Sequence, residues 1–353
     1  MTAVDTRTTP ETEARTEAAP RWRSARARPL WLLVVVLVLA AVMVASVAFG
    51  SRTVGWSDIW SGLGGAEHSL GQAAVGKRIP RTVLAVLIGA SLGLAGGVMQ
   101  GVTRNPLADP GILGVNMGAS FAVVTAVAFF GLTSMTGYVW VAMAGAALSA
   151  LFVYTVGSLG RGGATPLKLA LAGAATSAAF TSLVSAVVLP RNDVNGSYRL
   201  WKIGGVGGAS FERIGQVLPF LAVGLVICLL SARALNSLAL GDEVAAGLGE
   251  RVALARGTAA LGAVVLCGAA TAVAGPIGFV GLVVPHTCRL LIGVDHRWLL
   301  PFSALLGAAL LTAADVLGRV VARPAEIDVG IVTALIGGPF FIWIVRRQKV
   351  RAL

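Results

Sequence analysis

LWLLVVVLVLAAVMVASVAF, residues 30–49, is a run of twenty residues without one charged side chain. A helix of that length matches the roughly 30 Å hydrocarbon core of a bilayer. The run is longer than the roughly 7–15 apolar residues of a signal peptide, so it reads as an uncleaved first span. Arg21, Arg23, Arg26 and Arg28 stand just before it. Residues 1–29 carry no apolar face and are expected to form a disordered, basic cytoplasmic tail.

The same pattern recurs along the chain. Apolar runs fall at 82–102, 112–132, 138–159, 167–189, 214–232, 253–273, 299–321 and 329–345. A shorter run at 278–292 is broken by Gly and Pro. The expected fold is an all-α membrane protein, a polytopic bundle of about ten transmembrane helices, with broken helices near a pathway. Residues 30–346 form this domain, followed by a short cytoplasmic tail at 347–353.

Composition agrees. Of 353 residues, 56% are apolar and 12% charged, with a mean hydropathy of +0.83. A soluble domain needs about 25% charged residues to coat its surface. The net charge of +12 would point to nucleic acid in a soluble protein. Here the basic residues lie between apolar runs and at the ends, with no basic and aromatic platform, so nucleic acid is excluded. Cys228, Cys267 and Cys288 sit in apolar runs without metal-ligand spacing, so no metal or cofactor is expected.

An even number of spans places both termini on one side of the cell membrane. Arg346, Arg347, Lys349 and Arg351 join the N-terminal arginines in assigning that side to the cytoplasm. Arg104, Arg161, Lys168, Arg233, Arg251, Arg256 and Arg297 agree. Three groups depart from the rule: Lys77, Arg78 and Arg81; Arg191, Arg199, Lys202 and Arg213; and Arg319 and Arg323. They read either as interfacial anchors or as an outward basic surface for an acidic protein partner, and charge alone favours neither.

Gly71-Gln72-Ala73-Ala74-Val75-Gly76-Lys77 imitates a phosphate loop. Arg78 follows where Ser or Thr is needed, and no strand precedes it. The chain therefore has no nucleotide site of its own. Gly204-Gly205-Val206-Gly207-Gly208 reads as a turn. Gly89, Gly93, Gly97 and Gly101 recur every four residues, a smooth face for close helix packing.

Two segments interrupt the helical pattern. One is Arg104-Asn105-Pro106-Leu107-Ala108-Asp109-Pro110-Gly111-Ile112-Leu113-Gly114; the other runs from Gly275-Pro276 to Pro285-His286. Irregular backbone at membrane depth is tolerated only inside protein or beside a wet cavity, so both are pathway candidates. The glycine-punctuated stretch 236–250 differs again: too polar to span, apolar enough to dock on another protein.

Three stretches together resemble the FecCD/BtuC-type permease family of ABC importers for iron–siderophores, haem and cobalamin. They are Arg78-Ile79-Pro80-Arg81 through Arg104-Asn105-Pro106-Leu107-Ala108, the loop from Leu238 to Gly249, and Gly275 through Asp328. Asn116-Met117 departs from the smaller residues usual there. The resemblance implies a permease working by alternating access, with ATP hydrolysed in separate ABC subunits. It implies an extracytoplasmic substrate-binding protein and a second permease subunit, alike or different. Leu238, Leu240, Gly241, Asp242, Glu243, Ala246, Leu248 and Gly249 correspond to the coupling segment that meets the ATPase. Arg78, Arg81 and Arg319 correspond to arginines that receive the binding protein. Gly89, Gly93, Gly97, Gly101, Asn105, Pro106, Gly275, Pro276 and Pro285 are assigned to packing and pathway. A ferric siderophore is the implied cargo, with haem or cobalamin as the alternative. An ion-coupled secondary transporter is the rival, but its usual intramembrane acids are nearly absent: Asp315 is the exception, with Arg319 one turn on. No paired carboxylates, zinc motif or Ser–His pair suggests an intramembrane enzyme.

Overall fold

The computed structural model describes residues 27–65, 68–160, 165–191, 198 and 201–347. The tail expected at 1–29 lies almost wholly outside them, as do residues 348–353. The described residues are helical, with no strand among them.

Among the described residues, seven helices are long and apolar enough to cross a membrane. They are α1 (Arg28–Ala48), α3 (Leu70–Thr103), α5 (Met135–Ser158), α6 (Pro166–Val188), α7 (Phe211–Leu230), α10 (Val252–Ala274) and α12 (His296–Val321). Three shorter apolar helices complete the bundle: α4 (Val115–Phe130), α11 (Val280–Ile292) and α13 (Val329–Arg347). Short connecting helices are α2 (Trp56–Leu63), α8 (Ala232–Leu238) and α9 (Asp242–Gly247).

Two boundaries differ from expectation for local reasons. The second span was expected to start at residue 82, yet α3 starts at Leu70. A capping box starts it: Ser69 Oγ accepts from Gln72 N, and Gln72 Oε1 accepts from Ser69 N. The decoy phosphate loop is thus a turn of α3. The run expected at 112–132 is split. Asp109 caps a single 3-10 turn at Pro110–Leu113, and Gly114, at φ 71°, turns the chain into α4.

Helix α3 is the central post, buried along most of its length, while α1 shows most of its surface. Gly89 lies under the Gly307 carbonyl and Gly93 under that of Ser303, both on α12. A methyl group at either would stand 2.3 or 2.2 Å from those oxygens, so only glycine permits this approach. Gly97 faces Leu300 and Ser303, and Gly101 faces His296 and Leu235. Between them Gly96 meets Gly281 of α11. Exposed Leu33, Leu37, Val44, Leu151, Phe152, Leu171 and Val223 leave the outer helices apolar, as a lipid-facing surface requires.

Candidate functional site

The bundle has two polar ends. Helix α1 begins at the near face, beside Asp295, and ends at the far face, beside Arg319.

At the near face α8 and α9 form a short helical elbow. Leu235, Leu238 and Ala245 are buried and anchor it to the bundle. Leu238, read from the sequence as a contact for another subunit, is therefore a core residue, fully enclosed. Leu240, Val244 and Leu248 point the other way and are 61%, 51% and 64% exposed. Val244 lies on α9, Leu240 just before its Gly241 cap and Leu248 at its C-cap, so this exposed apolar ridge runs from one end of the short helix to the other. Glu243 and Ala246 are exposed beside it. Gly241 at φ 107° and Gly249 at φ 89° form the turns that start and stop α9. Bonds from Gly249 N to Ala246 O and from Glu250 N to Ala245 O close its C-terminus.

Asp242 opens α9 but does not join the ridge. Its Oδ1 accepts from Arg104, the C-terminal cap of α3, and from Arg256 of α10 at 3.0 Å. Asn236 of α8 is held at the start of α12. Its Nδ2 donates to Asp295 Oδ1 at 2.7 Å, and its Oδ1 accepts from His296 N at 2.9 Å. Asp295 also lies 4.0 Å from Arg28 of α1. These contacts, together with Arg297 N, hold its carboxyl below the ordinary range against the opposing effect of burial. Asn236 and Val244 fell within the stretch 236–250 expected to dock, and Arg104 and Arg256 among the cytoplasmic charges, but the contacts they make were not expected from the sequence. Their signal was faint: Arg104 and Arg256 stood out only as topology-setting charges.

At the far face the three arginines read as docking residues form one internal cluster. Arg319 is 1% exposed. It pairs with Asp315 at 2.9 Å and donates to Ser46 O, Phe49 O and Ser46 Oγ. Arg78, 6% exposed, donates to the carbonyls of Val47, Ala48 and Arg52. Arg323 reaches Gly50 O. The last carbonyls of α1, which no helical turn can satisfy, are thus capped by Arg78 and Arg319, and Arg323 holds the chain just beyond them. Arg78 and Arg319 are committed inside the subunit, which departs from a purely outward role. Arg81 bridges Asp315, at 2.9 Å, and Glu326, at 2.6 Å. Glu326 is the partly exposed edge of the cluster. Burial pushes its carboxyl up, but bonds from Arg81 and Ser51 outweigh this and hold it below its ordinary value. The neighbouring Asp328 is pushed up by burial, helped by the charges of Glu326 and Asp315.

The two interrupted segments meet α3. Asn105 Oδ1 accepts from Leu107 N in a tight turn exposed at the near face, followed by Pro106. Gly275, at φ 71°, ends α10 where a side chain would strike Trp201 O. Pro276 then lies against Gly204. Phe279 adopts φ 68°, a strained conformation for a bulky residue, with its ring over Gly337 of α13. Pro285 is buried within α11. Gln100 Nε2 of α3 donates to Gly281 O at the start of α11. Asn116 Oδ1 accepts from Thr271 Oγ1, so this residue ties α4 to α10. A cavity of about 850 Å³ between α4, α5 and α6 is lined by Phe121, Phe130, Phe152 and Phe180 and by no ionisable side chain. No group of three or more metal-ligating side chains occurs among the described residues.

Comparison with known proteins follows the same outline. The sequence profile of the FecCD transport family matches residues 36–347. The chain is 41% identical to the "Probable siderophore transport system permease protein YfiZ" of Bacillus subtilis (strain 168), over 91% of this chain and 98% of that protein. It is 43% identical to the ferric enterobactin transport system permease protein FepD of Escherichia coli (strain K12), covering 90% and 94%. Among solved structures, an inward-facing metal-chelate type ABC transporter superposes with a TM-score of 0.80 at 29% identity, over 91% of this chain and all of that one.

Proposed function

The chain belongs to the FecCD transport family, and from that premise we propose that it is the permease subunit of an ATP-driven importer of ferric siderophores. The relatives named for siderophore and ferric enterobactin transport support this cargo. It is a membrane subunit and not an enzyme. ATP hydrolysis belongs to separate subunits on the near face, which we take as cytoplasmic from the basic residues gathered there. The observation that carries the reading is the ridge Leu240–Val244–Leu248. It is an exposed apolar row along and just beyond a short helix at the near face, and the elbow that carries it is tied to α3, α10 and α12.

In this mechanism the ridge seats in a groove of the ATP-binding subunit. ATP-driven closure of those subunits displaces the elbow. The spans then exchange an outward-open for an inward-open arrangement. ATP binding does this only through a difference in its interaction with the two states. A substrate-binding protein delivers cargo at the far face. Of the three arginines assigned to meet it, Arg81 and its partner Glu326 lie nearest the surface. Arg78 and Arg319 support them from inside. A second permease subunit completes the pathway.

The test is co-purification. The tagged chain, expressed with its ATP-binding subunits, is expected to retain them in detergent. Leu240→Asp together with Leu248→Asp is expected to release them while the permease stays folded. Retention at the wild-type level would remove the ridge from the interface.

A further inference from the structure

We infer that Arg104 and Arg256 form an ionic clasp that makes α9 move as one piece with spans α3 and α10, through the single carboxylate of Asp242. The inference rests on α8–α9 being the contact with the ATP-binding subunits.

Three observations carry it. First, the geometry converges on one side chain. Asp242 Oδ1 accepts from both Arg104 Nη2 and Arg256 Nη2, with Oδ2 3.2 Å from the latter. Arg104 is the left-handed cap of α3, at φ 50°, a conformation uncommon outside glycine. That cap brings the guanidinium across to α9 instead of continuing the helix. Arg256 sits one turn into α10 with its side chain only 9% exposed. Its buried Nε has no partner, so Asp242 is the counter-charge that holds it.

Second, α9 cannot hold its own orientation. At six residues it is far below the length at which an isolated helix is stable. Its direction comes from what it is attached to. Ala245 packs inward on one side, and Asp242 supplies the polar attachment. Val244 stands two residues from Asp242, roughly 200° around the helix, so the polar attachment and the exposed apolar side chain lie on opposite sides of α9.

Third, the attached helices are those best placed to pass motion on. Helix α3 meets α12 through Gly89 and Gly93 and α11 through Gly96, all at backbone contact. Asn236 adds a second tether from α8 to α12 through Asp295 and His296. A displacement of the elbow therefore reaches α3, α10 and α12 together. Arg104 and Asp242 remain partly exposed, and exposed ion pairs contribute little to stability. Transmission can then be weakened without unfolding the bundle.

The experiment uses the whole transporter in proteoliposomes, with its ATP-binding subunits inside and binding protein outside. The probe is the radiolabelled iron complex of a trihydroxamate siderophore. ATP hydrolysed per iron imported is measured for wild type, for Arg104→Gln with Arg256→Gln, and for Arg104→Lys with Arg256→Lys. The glutamine pair is expected to keep its ATP-binding subunits and melting temperature. Its ATP cost per iron should rise at least about fivefold, the lower end of typical coupling strengths. The lysine pair, which keeps the charges, should recover toward wild type. A wild-type ratio in the glutamine pair, or lysines no better than glutamines, overturns the clasp. Loss of the ATP-binding subunits from the glutamine pair alone would also overturn it, assigning the arginines to docking. Failure of the wild-type chain to hold those subunits would instead overturn the function on which the clasp rests.

Discussion

Asp315 shows how a single side chain organises the far face. It is buried between Arg81 and Arg319, and both lose their principal counter-charge if it is neutralised. Asp315→Asn should lower stability by about 3–5 kcal/mol, the usual cost of removing one partner from a buried ion pair. A lowered thermal unfolding midpoint in detergent checks this. Glu326 predicts a pH dependence. Its folded pKa lies below its unfolded value, so its stabilising contribution is complete above about pH 4.3. That contribution fades as the pH falls through the lower folded value. The stability advantage of wild type over Glu326→Gln should therefore be present at pH 7 and shrink on acidification below that range. Equal melting differences at both pH values would contradict it. The sequence made these charges visible as exceptions to the positive-inside pattern. It also paired Asp315 with Arg319 one turn on, but it did not reveal the distant partners, because Ser46 and Arg319 are 273 residues apart. Such a pairing appears only once α1 and α12 are side by side.

Most helices were legible as elements, because a bilayer demands long apolar runs and little else competes with that signal. The stripe Gly89, Gly93, Gly97 and Gly101 was legible as a packing face from its spacing alone; which helix it faced was not. Gly93→Leu should prevent α3 and α12 from closing, since even a methyl group there meets the Ser303 carbonyl at 2.2 Å. Reduced yield and an early-unfolding permease in size-exclusion chromatography would record this; Gly215→Leu, at an open position, serves as the tolerated control. The early start of α3 escaped the apolar count because residues 70–81 include Lys77, Arg78 and Arg81. The signal was the capping pair Ser69 and Gln72. Helix α2, eight residues with Trp56 and Trp60 exposed, escaped for lack of length. Leu238 is enclosed while Leu240 and Leu248 are exposed, a division that sequence alone does not give over so short an amphipathic stretch.

At the scale of the whole molecule, the chain is a lipid-embedded bundle with an exposed apolar row at one end, from a family of permease subunits whose ATP is hydrolysed in separate subunits. Composition excluded a soluble enzyme, and the broken segments pointed to transport. The named coupling segment came from resemblance, and the exposed ridge gives it a physical surface. The two ends differ in kind. The far-face arginines are bonded mainly within the chain, whereas Leu240, Val244 and Leu248 at the near face are exposed.

The most direct measurement is uptake of radiolabelled iron–siderophore by cells lacking this chain, with and without the wild-type gene restored, and with labelled cobalamin alongside. Restored iron–siderophore uptake that persists when the proton gradient is abolished at constant ATP is the predicted result. Restored uptake that collapses with the proton gradient at constant ATP would contradict the account.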